Sequence, residues 1–517
     1  MGYTTGSTPA TTASPRSGAS ALRTPLLVAT IALTLLSGCA VGPDFKKPTA
    51  PDVGRYTVGP MPAALAGGNV AGGRPQRFVP GGDISGDWWT LFHSKPLNEL
   101  IDAALARNPD LEAARAALAA ANENVLAQRG AVMPSVSLGF SASRQAQSQE
   151  LAPTPNFPVV PNEYQFNLFT PQVTVSYAPD VFGLNRRTVE SLKAQAQSVR
   201  FQMIATYTTL TSNVVVTAIQ EASIDSQVKA VRQLVAINTR LVTILQYQFD
   251  KGYASGLDLA AQKAQLAQTN AMLPPLLKQA AQLHDLLAVL TGRFPSQSPL
   301  VKFELSSLQL PPQLPVSIPS VLVEQRPDIR QAEANLHAAS AEIGVAVANR
   351  LPNIQLTADA GSSALAFGQL FTPGTNFWNM GAGLAAPVFE GGTLLHQERA
   401  ARAAYRQAAQ QYRSTVLTAF QNVADTLTAL EQDGQALQAN AAAAEAAKVT
   451  LKAAQRQLKD GYASYPALLN AEQTYLQARI NLVQAQASRF ADTAALFQAL
   501  GGGWWHHSDL TEDHYER

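Results

Sequence analysis

Residues 133–140 (MPSVSLGF) recur in pattern 218 positions later as residues 351–358 (LPNIQLTA). In each stretch a proline leads into a predicted strand, and this repeat decides the fold. Apolar residues alternate with small or polar residues in both stretches, which is the period of a β-strand. Residues 172–177 (QVTVSY) and 378–384 (WNMGAGL) alternate in the same way and supply a partner strand for each. One apolar side and one small polar side are typical of a membrane β-barrel, with lipid outside and water inside. A half-buried sheet in a soluble domain is the alternative.

Each predicted hairpin is followed by a run long enough for a very long helix. Residues 184–251 contain no Gly and no Pro, and residues 393–460 contain one Gly (Gly434) and no Pro. A helix of this length reaches about 100 Å, and such helices normally pack as coiled coils. Both runs end at the sequence GYAS, at residues 252–255 and 461–464. Glycine is a natural helix terminator, so we predict a tip at each GYAS and a returning helix after it.

These features recur in the same order, so the mature chain is a duplication. Residues 108–111 (NPDL) also recur, as residues 326–329 (RPDI). We predict a mainly α fold with a transmembrane β-barrel, in which each unit contains a helix, two strands, a long helix and a returning helix. The predicted segments are a first repeat at 97–310 (strands about 134–145 and 170–178, long helix 184–251), a linker at 311–319, a second repeat at 320–503 (strands about 353–361 and 376–386, long helix 393–460) and a tail at 504–517.

The amino terminus is predicted to be a targeting sequence. Residues 1–38 have the features of a signal peptide, with an apolar run at 25–36 that is too short to span a bilayer comfortably. The run ends in Leu-Ser-Gly before Cys39, which resembles a bacterial lipobox. We therefore predict that Cys39 carries a diacylglycerol and a further acyl chain such as palmitate, and that residues 39–96 form a lipid-anchored segment. Ala40 after the cysteine fits the outer membrane, and a buried free cysteine is the alternative for Cys39.

Composition and charge exclude several classes of protein. Only 15% of the residues are charged, and Lys+Arg 38 against Asp+Glu 37 gives a net charge of +1, which argues against a nucleic-acid binder. The single cysteine excludes a disulfide within the chain and any multi-cysteine metal site. A polar surface with little charge suits the wall of a wide aqueous bore.

Four strands cannot close a barrel, since the smallest membrane barrels have about eight. An open edge in lipid would leave backbone groups unpaired at several kcal/mol each. We therefore expect a homotrimer, in which twelve strands form the barrel and twelve helices form a periplasmic tunnel.

The motifs together resemble the TolC-like outer-membrane factors, in particular the NodT family of efflux lipoproteins. The matching pieces are residues 41–45 (VGPDF), 88–92 (WWTLF), 470–475 (NAEQTY) and 499–504 (ALGGGW), in this order along the chain. The resemblance implies an outer-membrane, passive export duct for small molecules such as drugs. It also implies a periplasmic adaptor (membrane fusion) protein and an inner-membrane pump of the resistance-nodulation-division (RND) or major-facilitator (MFS) type as partners. It implies neither catalysis nor a cofactor.

The resemblance also assigns site residues. Those expected to contact the adaptor at the tips are Gly252, Tyr253, Ala254, Ser255, Gly461, Tyr462, Ala463 and Ser464. Asp258 matches the carboxylates that narrow the channel entrance in the family, and the alternative is a solvated residue at a helix start. The comparable positions of the second copy hold Ala467 and Asn470, which are not acidic.

Patterns that suggest other chemistry fail in context. Residues 381–386 (GAGLAA) match a dinucleotide fingerprint by letters, but they lie in an alternating strand and precede Pro387, whereas that motif should open a helix. His506 and His507 lack neighbouring ligands, so we predict no metal site. The competing functions are the same duct serving protein or metal-ion export, and a structural coiled-coil lipoprotein.

Overall fold

The computed structural model describes residues 2–4, 6, 40–62, 64–148, 163–297, 304–462 and 464–511. Most of the predicted signal peptide, Cys39 and Ala463 lie outside these residues. The described chain divides into two compact units. Unit 1 holds the residues up to Asp44, Ala127–Glu190 and Ala341–Ala401, and unit 2 holds Phe45–Leu126, Ser191–Ser340 and Arg402 onward. Each sequence repeat therefore contributes to both units.

The element order is the same in both repeats, except that the returning helix of the first is divided into two. The strands are β1 (Arg77–Pro80), β2 (Ser135–Ser148), β3 (Glu163–Tyr177), β4 (Gln313–Val316), β5 (Asn353–Ser362) and β6 (Asn376–Ala385). The helices are α1 (Lys95–Arg107), α2 (Pro109–Gly130), α3 (Leu184–Asp250), α4 (Gly256–Ala271), α5 (Leu273–Leu290), α6 (Pro319–Gln325), α7 (Pro327–Ala348), α8 (Thr393–Lys459), α9 (Tyr465–Ala499) and α10 (Ser508–Thr511).

The helices that precede each hairpin begin at the repeated proline, but their N-terminal ends are stabilised by different side chains. In the first copy Oδ1 of Asn108 accepts hydrogen bonds from the backbone N–H groups of Asp110 and Leu111, at 2.9 and 3.2 Å. This is the usual role of an Asn before a helix. In the second copy Arg326 stands at this place and its guanidinium instead binds Asp328 with two hydrogen bonds, at 3.0 and 2.7 Å.

The returning helix differs between the copies. The first copy returns as two helices, α4 and α5, which meet at Met272. Pro274 and Pro275 follow directly and remove two backbone donors at this junction. The second copy returns as the single 35-residue helix α9.

The four long strands form one antiparallel sheet in unit 1, in the order β2-β3-β5-β6. The hairpins of the two repeats join through β3 and β5, which pair from Gln172↔Gly361 to Tyr177↔Leu356. The first hairpin is longer than predicted, since β2 runs to Ser148 and β3 starts at Glu163. The second hairpin differs from its predicted bounds by one residue at an end.

The core of unit 2 collects the aromatic residues of two of the motifs. The Trp88 ring stacks on Phe497 with centroids 5.3 Å apart, and Phe92 contacts Phe490. Gly503 has φ of 71°, and a Cβ there would lie 2.4 Å from the carbonyl oxygen of Ser85, so only glycine fits. The closing motif thus packs against the segment around Trp88.

Candidate functional site

One face of the sheet in unit 1 is apolar across all four strands. The register aligns Val136, Val175, Ala358 and Met380 in one row, and Leu138, Val173, Ala360 and Trp378 in the next. The outer members of these rows are strongly exposed: Leu138 is 82% exposed and Trp378 is 77% exposed. A continuous patch of exposed apolar side chains on a sheet marks a surface that contacts lipid or another protein.

The opposite face of the same strands is polar. A complete row on this face contains Ser137, Thr174, Asp359 and Asn379. Thr174 donates a hydrogen bond from Oγ1 to Oδ1 of Asp359, 2.6 Å away. The two faces therefore separate apolar from polar residues as a membrane barrel requires.

The apolar band ends before the first hairpin does. On β2 the band runs from Val136 to Ala142, about 20 Å at 3.3 Å per residue, and Arg144 follows on the same face. The rings of Phe140 and Phe169 contact Phe367 near this end of the band, with centroids 6.3 and 6.0 Å apart. Aromatic residues flank the apolar band of outer-membrane barrels in the same way.

The two edges of the sheet are open. Among the described residues, β2 and β6 each pair with one neighbouring strand only. The backbone N–H and C=O groups at such edges lack partners within the sheet. Where lipid excludes water, they need hydrogen bonds to further strands.

The two GYAS tips have the same backbone geometry. Gly252 has φ of 77° and Gly461 has φ of 80°. The N–H of the tyrosine after each glycine donates to a carbonyl oxygen five residues earlier, at 2.7 Å for Tyr253 and 2.8 Å for Tyr462. This is the helix end that a left-handed glycine makes possible. A Cβ on either glycine would meet no atom of the described residues within 4 Å, so the backbone angle, and not a close contact, favours glycine here.

The side chains at the tips are exposed or bind locally. Tyr253 is 83% exposed and Tyr462 is 87% exposed. Ser255 precedes α4 as its N-cap, whereas the Ser464 side chain makes no such bond. The sequence did not single out Tyr465, whose hydroxyl donates to Oε1 of Gln248 at 2.6 Å and so links the start of α9 to the end of α3. Ala254 is half-buried.

The two predicted entrance residues lie in different surroundings. Asp258 is half-buried in the first turn of α4 and exchanges hydrogen bonds with Ser255: Oγ donates to Oδ2 at 2.6 Å and accepts from the Asp258 N–H at 3.1 Å. A carboxylate here stabilises a helix N-terminus. Asn470 is exposed on α9. Their role at an entrance stays a prediction.

A buried arginine of unit 1 holds the residues that follow Cys39 in the sequence. The Arg187 side chain is 5% exposed. Its acceptors are the carbonyl oxygens of Ala40, Val41 and Gly42 and the carboxylates of Asp44 and Glu190. Gly42 has φ of 96°, and a Cβ there would lie 2.4 Å from Cα of Gly344. The motif after the cysteine is thus bound through its backbone.

A second buried arginine performs the same task in unit 2. Arg489 of α9 is 0% exposed and donates to the carbonyl oxygens of Ala66 and Arg74 and to Oε1 of Gln76. A Cβ on Gly434 would lie 3.0 Å from the Ala66 oxygen, which explains the single glycine of the second long helix. We call residues 65–76 the strap.

Two buried carboxyl groups lie in the helices of unit 2. Burial and the neighbouring Asp492 raise the pKa of Asp433 well above its usual range, while Arg489 lowers it. Burial alone raises the pKa of Glu472 to about 7. A single Glu or Asp in a helical sequence carries no signal of burial, so sequence reasoning missed both.

The rejected motifs have structural roles. Residues 381–386 begin within β6, away from any helix start. Nε2 of His506 lies 2.8 Å from Oδ2 of Asp83, and Nε2 of His507 lies 3.2 Å from the Tyr207 hydroxyl. Within the described ranges, no group of three or more His, Cys, Asp or Glu residues could hold a metal ion. No helix among the same residues is long and apolar enough to cross a membrane.

A sheet with one apolar and one polar face, followed in the chain by long helices with matched tips, defines the class of outer-membrane channels. The chain belongs to the outer membrane efflux protein family, whose sequence profile matches residues 100–293 and 318–502. The first matched range lies within the first repeat, and the second covers the second repeat from two residues before its predicted start. The family is one of channels rather than enzymes.

The chain is also similar to individual efflux proteins of Pseudomonas putida. It is 29% identical over 418 residues to the pyoverdine export outer membrane protein OpmQ, covering 81% of this chain and 88% of that protein. It is 28% identical over 480 residues to the toluene efflux pump outer membrane protein TtgF, covering 92% of this chain and 96% of that protein. These findings confirm the family, the outer-membrane location and the role as the outer-membrane channel of an efflux pump.

Solved structures of outer-membrane channels share the fold. The channel OprN matches with a TM-score of 0.78 and 24% identity, covering 90% of this chain and 100% of that chain. CmeC of Campylobacter jejuni matches with a TM-score of 0.79 and 22% identity, covering 90% of this chain and 95% of that chain.

Proposed function

We propose that three copies of the chain form a closed twelve-stranded barrel in the outer membrane and a tunnel of twelve helices in the periplasm. The observation that carries this proposal is the four-stranded sheet with a continuous apolar face and two open edges. Three copies of four strands give a number within the range of known membrane barrels. The polar face then lines the bore.

The tips are the proposed docking site of a periplasmic adaptor, which links the channel to an inner-membrane pump of the RND or MFS type. The matched caps at Gly252 and Gly461 support this proposal, since one partner surface fits two equal tips. The exposed rings of Tyr253 and Tyr462 offer the contact area, because aromatic residues dominate many interfaces.

The proposed cargo is small toxic molecules, which leave the periplasm passively through the duct. The named relatives export toluene and pyoverdine, which are both small molecules. Protein or metal-ion export through the same duct is the second candidate. A structural lipoprotein would have no use for the paired apolar rows. The diacylglycerol on Cys39 is proposed as an additional anchor, and the binding of residues 40–44 by Arg187 supports a fixed position for it.

Valine at both tip glycines will abolish export. In Gly252→Val/Gly461→Val a β-branched residue must adopt positive φ, at about 1–2 kcal/mol per site. The caps will therefore open and the tips change shape, while the long helices have ample stability to stay folded. Export is measured as drug resistance and dye accumulation in a strain that lacks its own channel. We expect resistance to fall to that of the empty strain, with unchanged amounts of trimer in the outer membrane.

Gly81→Val is the matched control. Gly81 has φ of 74°, has no atom of the described chain within 4 Å of an added Cβ, and follows β1 far from the tips in sequence. This variant will keep export. Full export by the double tip variant would contradict the docking assignment, and wild-type protein that restores no resistance to any drug would contradict the proposed cargo.

A further inference from the structure

Glu472 is a carboxyl group without a partner inside α9. Its side chain is 0% exposed, and neither carboxylate oxygen has a hydrogen-bond partner among the residues that the structure describes. Leu468, one turn earlier, belongs to an apolar cluster that includes Leu241 of α3. Leu476, one turn later, belongs to another that includes Leu234 of α3. Glu472 therefore lies between two apolar layers, where an ionised carboxylate is least stable.

Asn238 occupies the same level of the neighbouring helix α3. The end of α3 and the start of α9 meet at the tips, where Tyr465 binds Gln248, so the two helices run antiparallel. Asn238 lies on α3 between the two leucines of these apolar layers, as Glu472 does on α9. Its side chain is also 0% exposed.

Helix α4 adds two glutamines at this level. Gln262 is 1% exposed and donates from Nε2 to Oδ1 of Asn238 at 2.7 Å. Gln265 accepts a hydrogen bond at Oε1 from Gln473, the neighbour of Glu472, at 2.9 Å. We call Asn238, Gln262, Gln265 and Glu472 the amide layer.

One acceptor of the amide layer lacks a donor. Oε1 of Gln262 is buried and has no hydrogen-bond partner in the described part of the chain. An ionised Glu472 can only accept hydrogen bonds, whereas a protonated Glu472 has one O–H to donate. A buried carboxylate that receives no hydrogen bond is unstable, so these surroundings favour the neutral, protonated form of Glu472.

No charge compensates an ionised Glu472. Helix α8 also packs against α9 here, through Leu451. The charged residues on these helices include Arg240 on α3, Lys263 on α4, Glu445, Lys448 and Lys452 on α8, and Arg479 on α9. None of them bonds to Glu472. Lys263 donates to Gln246 and Lys448 pairs with Glu445. Burial is accordingly the cause that raises the pKa of Glu472 to about 7.

We propose that Glu472 is a proton switch near the tips: protonated, it is neutral and lets α9 pack against α3 and α4, and ionised, it loosens this contact. The switch itself depends only on the buried layer. Its consequence for export rests on the proposed function: an entrance at the tips opens more readily as the pH rises through neutrality. The sign follows from the raised pKa, since the packing is strongest where the group keeps its proton.

Conductance of the full-length protein in planar lipid bilayers tests the switch. The wild-type open probability will rise several-fold between about pH 6 and about pH 8, where Glu472 loses its proton. In Glu472→Gln the neutral amide keeps a donor and cannot ionise, so the open probability will stay at the low-pH value throughout. A Glu472→Gln channel that follows the wild-type pH response would overturn the proposal, as would a wild-type channel without one.

Asp433→Asn is the matched control, because Asp433 is the other buried carboxyl group with a raised pKa in these helices. This variant will keep the wild-type pH response. If Asp433→Asn instead removes the response while Glu472→Gln retains it, the switch is wrongly assigned.

Hydrogen exchange on the wild-type protein decides the switch without any variant. Protection of the backbone amides at residues 468–476, corrected for the intrinsic pH dependence, will fall above about pH 7. Unchanged protection would overturn the switch. A protein that forms no channel at any pH would overturn the proposed function, and the exchange measurement would still decide on the switch.

Discussion

Arginines on the apolar face of the sheet will keep the protein from assembling in the outer membrane. The double substitution Leu138→Arg/Met380→Arg places charges on β2 and β6, in the adjacent apolar rows of the sheet. Each arginine on the lipid face costs about 2–4 kcal/mol near the bilayer midplane. A trimer carries the pair three times, so the total is about 12–24 kcal/mol, which is comparable to or larger than the stability of an ordinary domain. The measurement is the amount of protein in isolated outer membranes.

The matched control puts the same charges on the other face. Ser137→Arg/Asn379→Arg lies in the polar row, beside Thr174 and Asp359, at the same height along the strands. If that row faces water, the control will assemble at close to wild-type amounts. Equal assembly of the two double variants would rule out the assignment of lipid and water faces.

Loss of the Arg489 side chain will release the strap. Arg489→Ala removes the donor from two backbone carbonyls and leaves the Asp433 carboxyl group without its positive neighbour. Breaking a buried charged network in this way costs about 3–5 kcal/mol. We expect a lower midpoint of thermal unfolding and rapid proteolysis within residues 65–76.

The pH dependence of this variant follows from the pKa of Asp433. Burial and Asp492 raise that pKa, and Arg489 lowers it, so Arg489→Ala raises it further. When a carboxyl group has a raised pKa in the folded state, the free energy of unfolding of the protein falls as the pH rises. The free energy of unfolding of the variant will therefore be lowest at high pH. Arg479→Ala, on the same helix but only half-buried, is the control. Comparable proteolysis of the strap in both variants would contradict the role of Arg489.

The sheet could be predicted from the sequence because apolar and polar residues alternate along its strands. Val136 and Leu138 alternate with serines so regularly that the strand is plain in the sequence. The extra length of the first hairpin was not predictable in this way. Beyond Ala142 the pairing continues through Arg144 and Gln145, where β2 is polar on both faces and gives no signal, although Phe166 and Leu168 still alternate with polar residues on β3.

The tips were predictable because a glycine that closes a long run free of Gly and Pro usually marks the end of a helix. Gly252 and Gly461 adopt the positive φ that a helix end of this kind needs. Their contacts with a partner stay a prediction.

The break of the first returning helix at Met272 follows from Pro274 and Pro275, which the sequence displays.

The buried charges were not predictable from one sequence. Glu472 stands in a motif that resembles a family signature, but a glutamate on a helix is usually solvated. Arg187 and Arg489 bind backbone carbonyls of segments more than one hundred residues away in the chain. Such contacts depend on the tertiary fold, which local patterns do not encode.

The most direct test of the channel is the native mass of the protein extracted from isolated outer membranes in mild detergent. Since the four-stranded sheet has two open edges, only an assembly can close it in lipid. We expect particles of three copies, with no monomer under conditions that preserve other membrane oligomers. A monomer under those conditions would leave the sheet with no means of closing and would contradict the trimeric duct.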